Sequence, residues 1–319
     1  MIHDSAIRRN PTPYPRVMVT ELAPAGTSTT SDRVRRTVAL LRRRGYALPL
    51  SGLAALCVGG SLDPDEVRWA VAACPDLQVA EGLVVEKAAA DSAGAIQRRA
   101  RTHALEAAPY VVMTLSFTRR LVALAPYVRA VSIAGSLATG GFRESDDVDL
   151  NLIVDDGHRH LAYVAVNALG LVHALAHRAK PVDDLTRRPL APRLMTANLI
   201  LERSQCLPLA RQDEDMAFEL LVARPVFGSD EISSVIESNP GLLDHFPQLA
   251  EGRAPLDGAC PATRLPRALF PRFLDHPARA LGEAAWRYMQ WTRRDRPEAL
   301  ARVAFVRSTM RPYTLFDSR

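Results

Sequence analysis

The sequence predicts an α+β fold: a small mixed β-sheet with flanking helices, preceded by a compact helical unit and followed by a helical C-terminal region. Three observations carry that prediction. Apolar residues recur at helical spacing through residues 32–46, 88–127, 161–177 and 278–310. Three short β-rich apolar runs, 128–134, 148–154 and 194–201, are set among them. The composition, 48% hydrophobic and 24% charged, is that of an ordinary globular chain, and excludes a wholly disordered protein, a collagen and a coiled-coil rod. At 319 residues the chain has room for about two domains with appendages.

Residues 1–31 are expected to form a disordered tail. Pro11, Pro13, Pro15, Pro24 and the polar run 26–31 offer little apolar surface to offset the entropy of ordering. Residues 32–90 make the first unit. Val34, Val38, Leu40, Leu41 and Tyr46 form the apolar face of its first helix, with Arg35, Arg36, Arg42, Arg43 and Arg44 mostly outside. Ser51 is placed to cap a second helix through Leu53, Leu56 and Cys57, ended by Gly59 and Gly60. Asp63-Pro64-Asp65-Glu66 is a strong helix start: a cap, a proline in the first turn, then acids at the positive end of the dipole. Residues 77–79 and 83–85, joined at Glu81-Gly82, read as a hairpin. Three helices and then a hairpin is the order of a winged-helix-like domain.

Residues 91–230 make the second unit. It opens with two helices, one around Ile96, Ala100, His103 and Ala104, the other over 115–124. Three strands follow, with an amphipathic helix at 161–177 between the second and third. A helix containing Phe218 and Leu221 is stopped near Pro225. Residues 231–319 form the C-terminal region, reached through a proline-containing connector at 255–271 and packed by Trp286, Met289 and Trp291.

The net charge, 40 − 35 = +5, is compatible with either a nucleic acid or a nucleotide as partner and requires neither. Cys57, Cys74, Cys206 and Cys260 lie far apart, so neither a zinc site nor a disulfide framework is expected, and all four read as reduced, buried thiols. No apolar run reaches the roughly 18 residues of a membrane span. Arg8, Arg9 and Arg16 are not followed by the apolar stretch of a secretory signal, so the expected location is the cytoplasm.

One segment carries chemistry. The strand 128–134 delivers Gly135-Ser136, and eleven residues after Ser136 a second strand carries Asp147 and Asp149. Alternation along a strand puts both carboxylates on one face with Val148 between them. Two adjacent carboxylates repel unless a cation lies between them, and Mg²⁺ takes oxygen ligands and substrate phosphates together. Gly135 lets a backbone amide approach a phosphate, and Ser136 adds a hydroxyl donor. The chemistry suggested is nucleotidyl transfer from a nucleoside triphosphate. Arg143, in the connecting loop, is in reach of a phosphate, whereas Asp146 is out of phase with the pair and is expected to face away.

The segment Ala134-Gly135-Ser136 … Asp147-Val148-Asp149 resembles the DNA polymerase beta-like nucleotidyltransferase superfamily. The resemblance implies a nucleotidyltransferase core, Asp147 and Asp149 as catalytic metal ligands for Mg²⁺ or Mn²⁺, and Gly135 and Ser136 as triphosphate contacts. It also extends to a group of uncharacterised bacterial proteins with a winged-helix-like N-terminal part. Those proteins carry a later strand containing an Asn, here Asn198, and a helix that ends in a stretch like Pro225-Val226-Phe227-Gly228. The reaction implied moves an NMP from an NTP to a hydroxyl or amine acceptor, releasing pyrophosphate. The acceptor is left open among a small molecule, a protein and an RNA. The superfamily usually supplies a third carboxylate from a later strand, and Asn198 stands where it is sought. Glu202 is on the same face but about 13 Å along. Three outcomes follow: Glu202 serves, a loop acid (Asp183 or Asp184) serves, or the site holds one metal and is weakened.

Plainer readings stand beside these. A catalytically weak, nucleotide-sensing regulator that uses the winged-helix-like domain is the alternative function. The third helix, with Asp65, Glu66 and Arg68, is a poor surface for a DNA groove, so the arginines at 33–44 are the better candidates, and a solvated helix face explains them too. His158, His160, His173 and His177 read as loop, surface or packing residues, and Trp286, Tyr288 and Trp291 as packing.

Overall fold

The computed structural model describes residues 28–177, 194–256 and 258–294, together with 297, 300 and 301. The tail 1–27, the loop acids Asp183 and Asp184, and the helix expected beyond 301 lie outside the described residues. The fold is α+β, and no helix among the described residues is long and apolar enough to cross a membrane.

The chain opens with three helices, α1 (Thr30–Arg43), α2 (Leu50–Ala55) and α3 (Pro64–Ala73). α1 begins two residues earlier than expected because the Thr29 hydroxyl accepts a bond from the Asp32 N–H, 3.2 Å away. Gly45 ends it in the left-handed region (φ +73°). The Gly45 N–H bonds the Arg42 carbonyl and the Tyr46 N–H bonds the Leu41 carbonyl, each at 2.9 Å, which is the Schellman closure. The α2 helix starts at Pro49 without a side-chain cap, and Ser51 lies inside it rather than capping it. At α3 the expected start is realised in full: Asp63 accepts from the Asp65 N–H, while Glu66 reaches back to the Asp63 N–H.

The hairpin β1 (Leu77–Ala80) and β2 (Leu83–Glu86) turns through Glu81 and Gly82, both at positive φ. Leu48 bridges Val84 alongside it. The next helix, α4 (Ala93–Leu124), is one continuous element, not the two expected. Pro109 removes one ladder bond, but Ala107, Tyr110, Thr114, Phe117 and Leu121 pack on the sheet on either side and hold the helix through it.

The main sheet runs β5-β4-β3-β6. It consists of β3 (Val128–Ala134), β4 (Val148–Val154), β5 (Met195–Glu202) and β6 (Arg224–Phe227), with the short helix α5 (Gly135–Thr139) after β3 and α6 (Arg159–Leu175) between β4 and β5. Central β3 is antiparallel to β4 and β6, and β4 is parallel to β5, so the sheet is mixed. The helix stops before Pro225 as expected, and a strand not expected there, β6, follows; it tolerates Pro225 because it is an edge strand, where a missing N–H costs no ladder bond.

Alternation divides the sheet into two faces. Val148, Leu150, Leu152 and Val154 face α4 and α6. Ile153, Leu199 and Leu201 face α1–α3 and the later helices α7 (Glu214–Val222), α8 (Ser229–Glu237) and α9 (Gly241–His245). The segments 32–90 and 91–230 therefore share one core, in which Val34, Leu53 and Val67 pack with Phe218 and Phe246. Three of the arginines at 33–44 reinforce this junction and three others are paired within the first unit. Arg36 pairs with Glu214, and Arg44, its side chain 2% exposed, pairs with Asp215 at 2.7 Å and stacks over Phe218. Arg43 also reaches Asp215, Arg35 binds Asp76, Arg42 binds Glu86, and Arg33 bonds the Val58 carbonyl. Of the cysteines, Cys57, Cys74 and Cys206 are buried as expected, whereas Cys260 is exposed.

The C-terminal helix α10 (Asp275–Arg293) packs on α6. His158 gives α6 no side-chain cap. Asp275 supplies one from α10, accepting from the Leu161 N–H at 2.8 Å and pairing with His160 Nδ1 at 2.7 Å. Burial opposes ionisation of Asp275, but the bonds from His160 and Leu161 outweigh it and hold the carboxyl below its ordinary value. The resulting stabilisation is complete above the unfolded pKa of about 3.9 and is lost as pH falls through the depressed folded value. Asp275→Asn should lower the urea midpoint at pH 7 and flatten its fall between pH 5 and 3. An unchanged acid limb in the variant would show that Asp275 is not the group responsible.

Candidate functional site

β3 and β4 are paired so that Ala134 lies opposite Asp149. The chain leaves β3 at Gly135 with φ +60° and enters α5. A Cβ built on Gly135 would stand 2.2 Å from Asp149 Oδ2, so the carboxylate occupies the place a side chain would take. The position thus requires glycine twice over, for its backbone conformation and for the space. Asp149 Oδ1 accepts a bond from the Thr196 hydroxyl on β5 at 3.1 Å. Asp147, just before β4, and Asp149 are both half-buried, with Val148 fully buried between them.

The loop from Gly140 to Asp147 is pinned at Phe142, which is fully buried and packs, tilted, against the Tyr110 ring. Its N–H donates to His103 Nδ1 at 3.2 Å. Burial, and then the nearby Arg224, keep the His103 imidazole below its ordinary pKa, which suits a ring nitrogen that must accept. Asp146, expected to be out of phase with the Asp147/Asp149 pair, is engaged within the loop. It turns back over Ser136, accepting from the Ser136 hydroxyl at 3.1 Å and from the Arg143 N–H at 3.2 Å. The Arg143 guanidinium is half-exposed and lies 3.4 Å from the same carboxylate.

Beneath Asp149 on the same sheet face is a polar layer about 7 Å away, two residues along the strand. Asn151 and Ser132 are paired there, and a bulge in β5 at Asn198 places that side chain beside them. Buried Glu219 of α7 accepts from the amides of Asn151 and Asn198, each at 3.1 Å. Below this layer the face turns apolar, around a cavity of about 60 Å³ bounded by Ile153, Leu199 and Leu201. Glu219→Ala should cost about 2 kcal/mol in urea denaturation, because the buried Asn151 amide loses its acceptor and the part-buried Asn198 amide keeps only Asn151, whereas Glu219→Gln should cost less. Equal stability of wild type and Glu219→Ala would show that the amides find other partners.

Glu202 is not brought to this place. It ends β5 opposite Val154, six residues beyond Thr196, and its carboxylate accepts from the Gly157 N–H at 2.9 Å. The reason lies in strand geometry, since six residues of extended chain span about 20 Å. The four histidines serve elsewhere, His158 stacked on Tyr127, His160 on Asp275, and His173 against Phe117 and His177. Trp286 packs against the sheet core, but Tyr288 and Trp291 are exposed and stack on each other.

Three residues close to the site were missed in the sequence. Glu219 had one local signal, a lone acid within the apolar run 216–222. Tyr46 was read as core only. The Schellman turn carries it out of the first unit to hydrogen-bond Thr139, with Asp149 and Glu219 nearby, and burial pushes its phenol pKa up. Arg99 gave no local signal: from α4 it bonds the Gly141 carbonyl and Asp146. Among the described residues no three His, Cys, Asp or Glu side chains gather as a ready metal cluster. Compared with known proteins, the chain matches no family model, no curated protein and no solved structure.

Proposed function

We propose that the chain is a Mg²⁺-dependent nucleotidyltransferase that moves an NMP from an NTP to a hydroxyl or amine acceptor. The observation that carries this reading is the fit of Gly135 against Asp149. A positive-φ glycine ends one strand where the carboxylate of its antiparallel neighbour fills the Cβ position, with a serine hydroxyl next in line. Asp147 and Asp149 would hold the metal, which on binding neutralises triphosphate charge and which needs only one or two carboxylates when substrate phosphates complete its shell. Gly135 and Ser136 would position the triphosphate, with Arg143 adding charge. Asn198 braces Glu219 and Asn151 beneath the pair rather than supplying an acid itself. In the reaction the acceptor oxygen or nitrogen bonds to the α-phosphorus, the bond to pyrophosphate breaks, and the acceptor proton passes to solvent or a base. On this reading the first unit is a winged-helix-like module whose contribution is structural: its α1 arginines clamp α7, and Tyr46 walls the site.

One observation favours a second reading, a nucleotide sensor. No third carboxylate joins Asp147 and Asp149 among the described residues, and Glu219 is engaged one layer below. A single experiment separates the two. The protein is incubated with each α-phosphate-labelled NTP, Mg²⁺ or Mn²⁺, and cell extract as acceptor source. Label on a product establishes transfer and identifies the base and the acceptor class. Tight NTP binding without transfer, lost in Asp147→Asn/Asp149→Asn, establishes the sensor.

A further inference from the structure

The Asp146 carboxylate is held by a converging set of donors. Arg99 Nη2 lies 3.0 Å away, the Ser136 hydroxyl 3.1 Å, the Arg143 N–H 3.2 Å and the Arg143 guanidinium 3.4 Å. Two guanidinium groups, a hydroxyl and a backbone amide aimed at one anion are the donors a phosphate group takes. They come from three separate places in the chain: α4, the first turn of α5, and the loop before β4. The Asp146 side chain is only 14% exposed, so it fills this cradle rather than skirting it.

We infer that Arg99, Ser136 and Arg143 form the phosphate-binding cradle of the nucleotide site, and that Asp146 is an internal anion which nucleotide must displace. This rests on the nucleotidyltransferase reading and adds a residue, Arg99, and a regulatory contact to it. The Ser136 hydroxyl carries one proton and donates it to one acceptor at a time, so Asp146 and a phosphate oxygen exclude each other there. A terminal phosphate offers three oxygens and more than one charge, against two oxygens and one charge for the carboxylate, so exchange favours the nucleotide. Asp146 sits in a loop with no ladder bonds, where a side-chain rotation suffices to release it. Until it is released, only a fraction of the protein is competent to bind, and the apparent affinity is reduced by that fraction.

The test is calorimetric titration of the full chain with magnesium tripolyphosphate and with each magnesium NTP. Asp146→Asn removes the competing charge and should bind about tenfold more tightly than wild type. Arg99→Ala should bind about tenfold more weakly, and Asp146→Asn should gain less in the Arg99→Ala background than in wild type, since Ser136 and Arg143 still hold Asp146 there but the strongest donor is gone. Should Asp146→Asn melt well below wild type, Asp146→Ser, which keeps an acceptor for the Arg143 N–H, carries the same expectation. Binding by wild type with no gain in either Asp146 variant would overturn this inference alone. Failure of every protein to bind any of the probes would overturn it together with the nucleotide reading.

Discussion

Asp149→Asn is expected to reduce nucleotidyl transfer by at least about a thousandfold, equivalent to ~4 kcal/mol of transition-state stabilisation. The substitution removes one of the two negative charges available to a divalent cation and leaves the volume unchanged. Asparagine retains an oxygen for the Thr196 hydroxyl, so the fold should persist, with a melting temperature within a few degrees of wild type. Asp147→Asn should behave alike. The two aspartates flank one buried valine and, on the proposed reading, would hold one ion, so their losses should not add in the double variant. The label-transfer measurement reads this directly. Undiminished turnover in both single variants would remove Asp147 and Asp149 from the site.

Gly135→Ala should have the second-largest effect, on stability and activity together. Two costs combine. A left-handed backbone at a residue with a side chain costs about 1–2 kcal/mol. The new methyl would also stand 2.2 Å from Asp149 Oδ2 and 3.0 Å from its Cγ, forcing the carboxylate off its position. The expected loss is about 2–4 kcal/mol in urea denaturation. Gly140→Ala separates the two costs: it shares a positive φ, +89°, but has nothing within 4 Å of the added Cβ. It should therefore lose only the conformational part. Truncating the neighbour gives a sharper check. In Gly135→Ala/Asp149→Ala the clash with the carboxylate is gone, so the double variant should be more stable than the sum of the singles by about 1 kcal/mol or more. Additivity would show that Gly135 and Asp149 do not press on each other.

The legible parts of this protein are those whose cause lies within a few residues. The capping box at Asp63, the positive-φ turn at Glu81-Gly82 and the bounds of β3 and β4 follow from caps, turn chemistry and alternation, and each was readable from the chain alone. So was the burial of Val148 between two more exposed aspartates, because period-two alternation is a local rule. Tertiary structure decided the rest. Whether Pro109 broke a helix, and whether Pro225 forbade a strand, depended on what packed against each: a sheet under α4 in one case, an edge position in the other. The destination of the α1 arginines was set by acids far along the chain, 178 residues away for Arg36 and Glu214. The surroundings of the site were settled in the same way. Arg99 and Asp146 are 47 residues apart, Asn151 and Glu219 68. Spacing rules reach about one helical turn or one strand step, and nothing in them brings α4, α7 and the end of α1 around one end of the sheet. The sequence by itself determined the two strands and the acids carried at the start of β4. Only the tertiary structure decided which groups surround them, because burial of a shared core, rather than any local preference, draws those elements together.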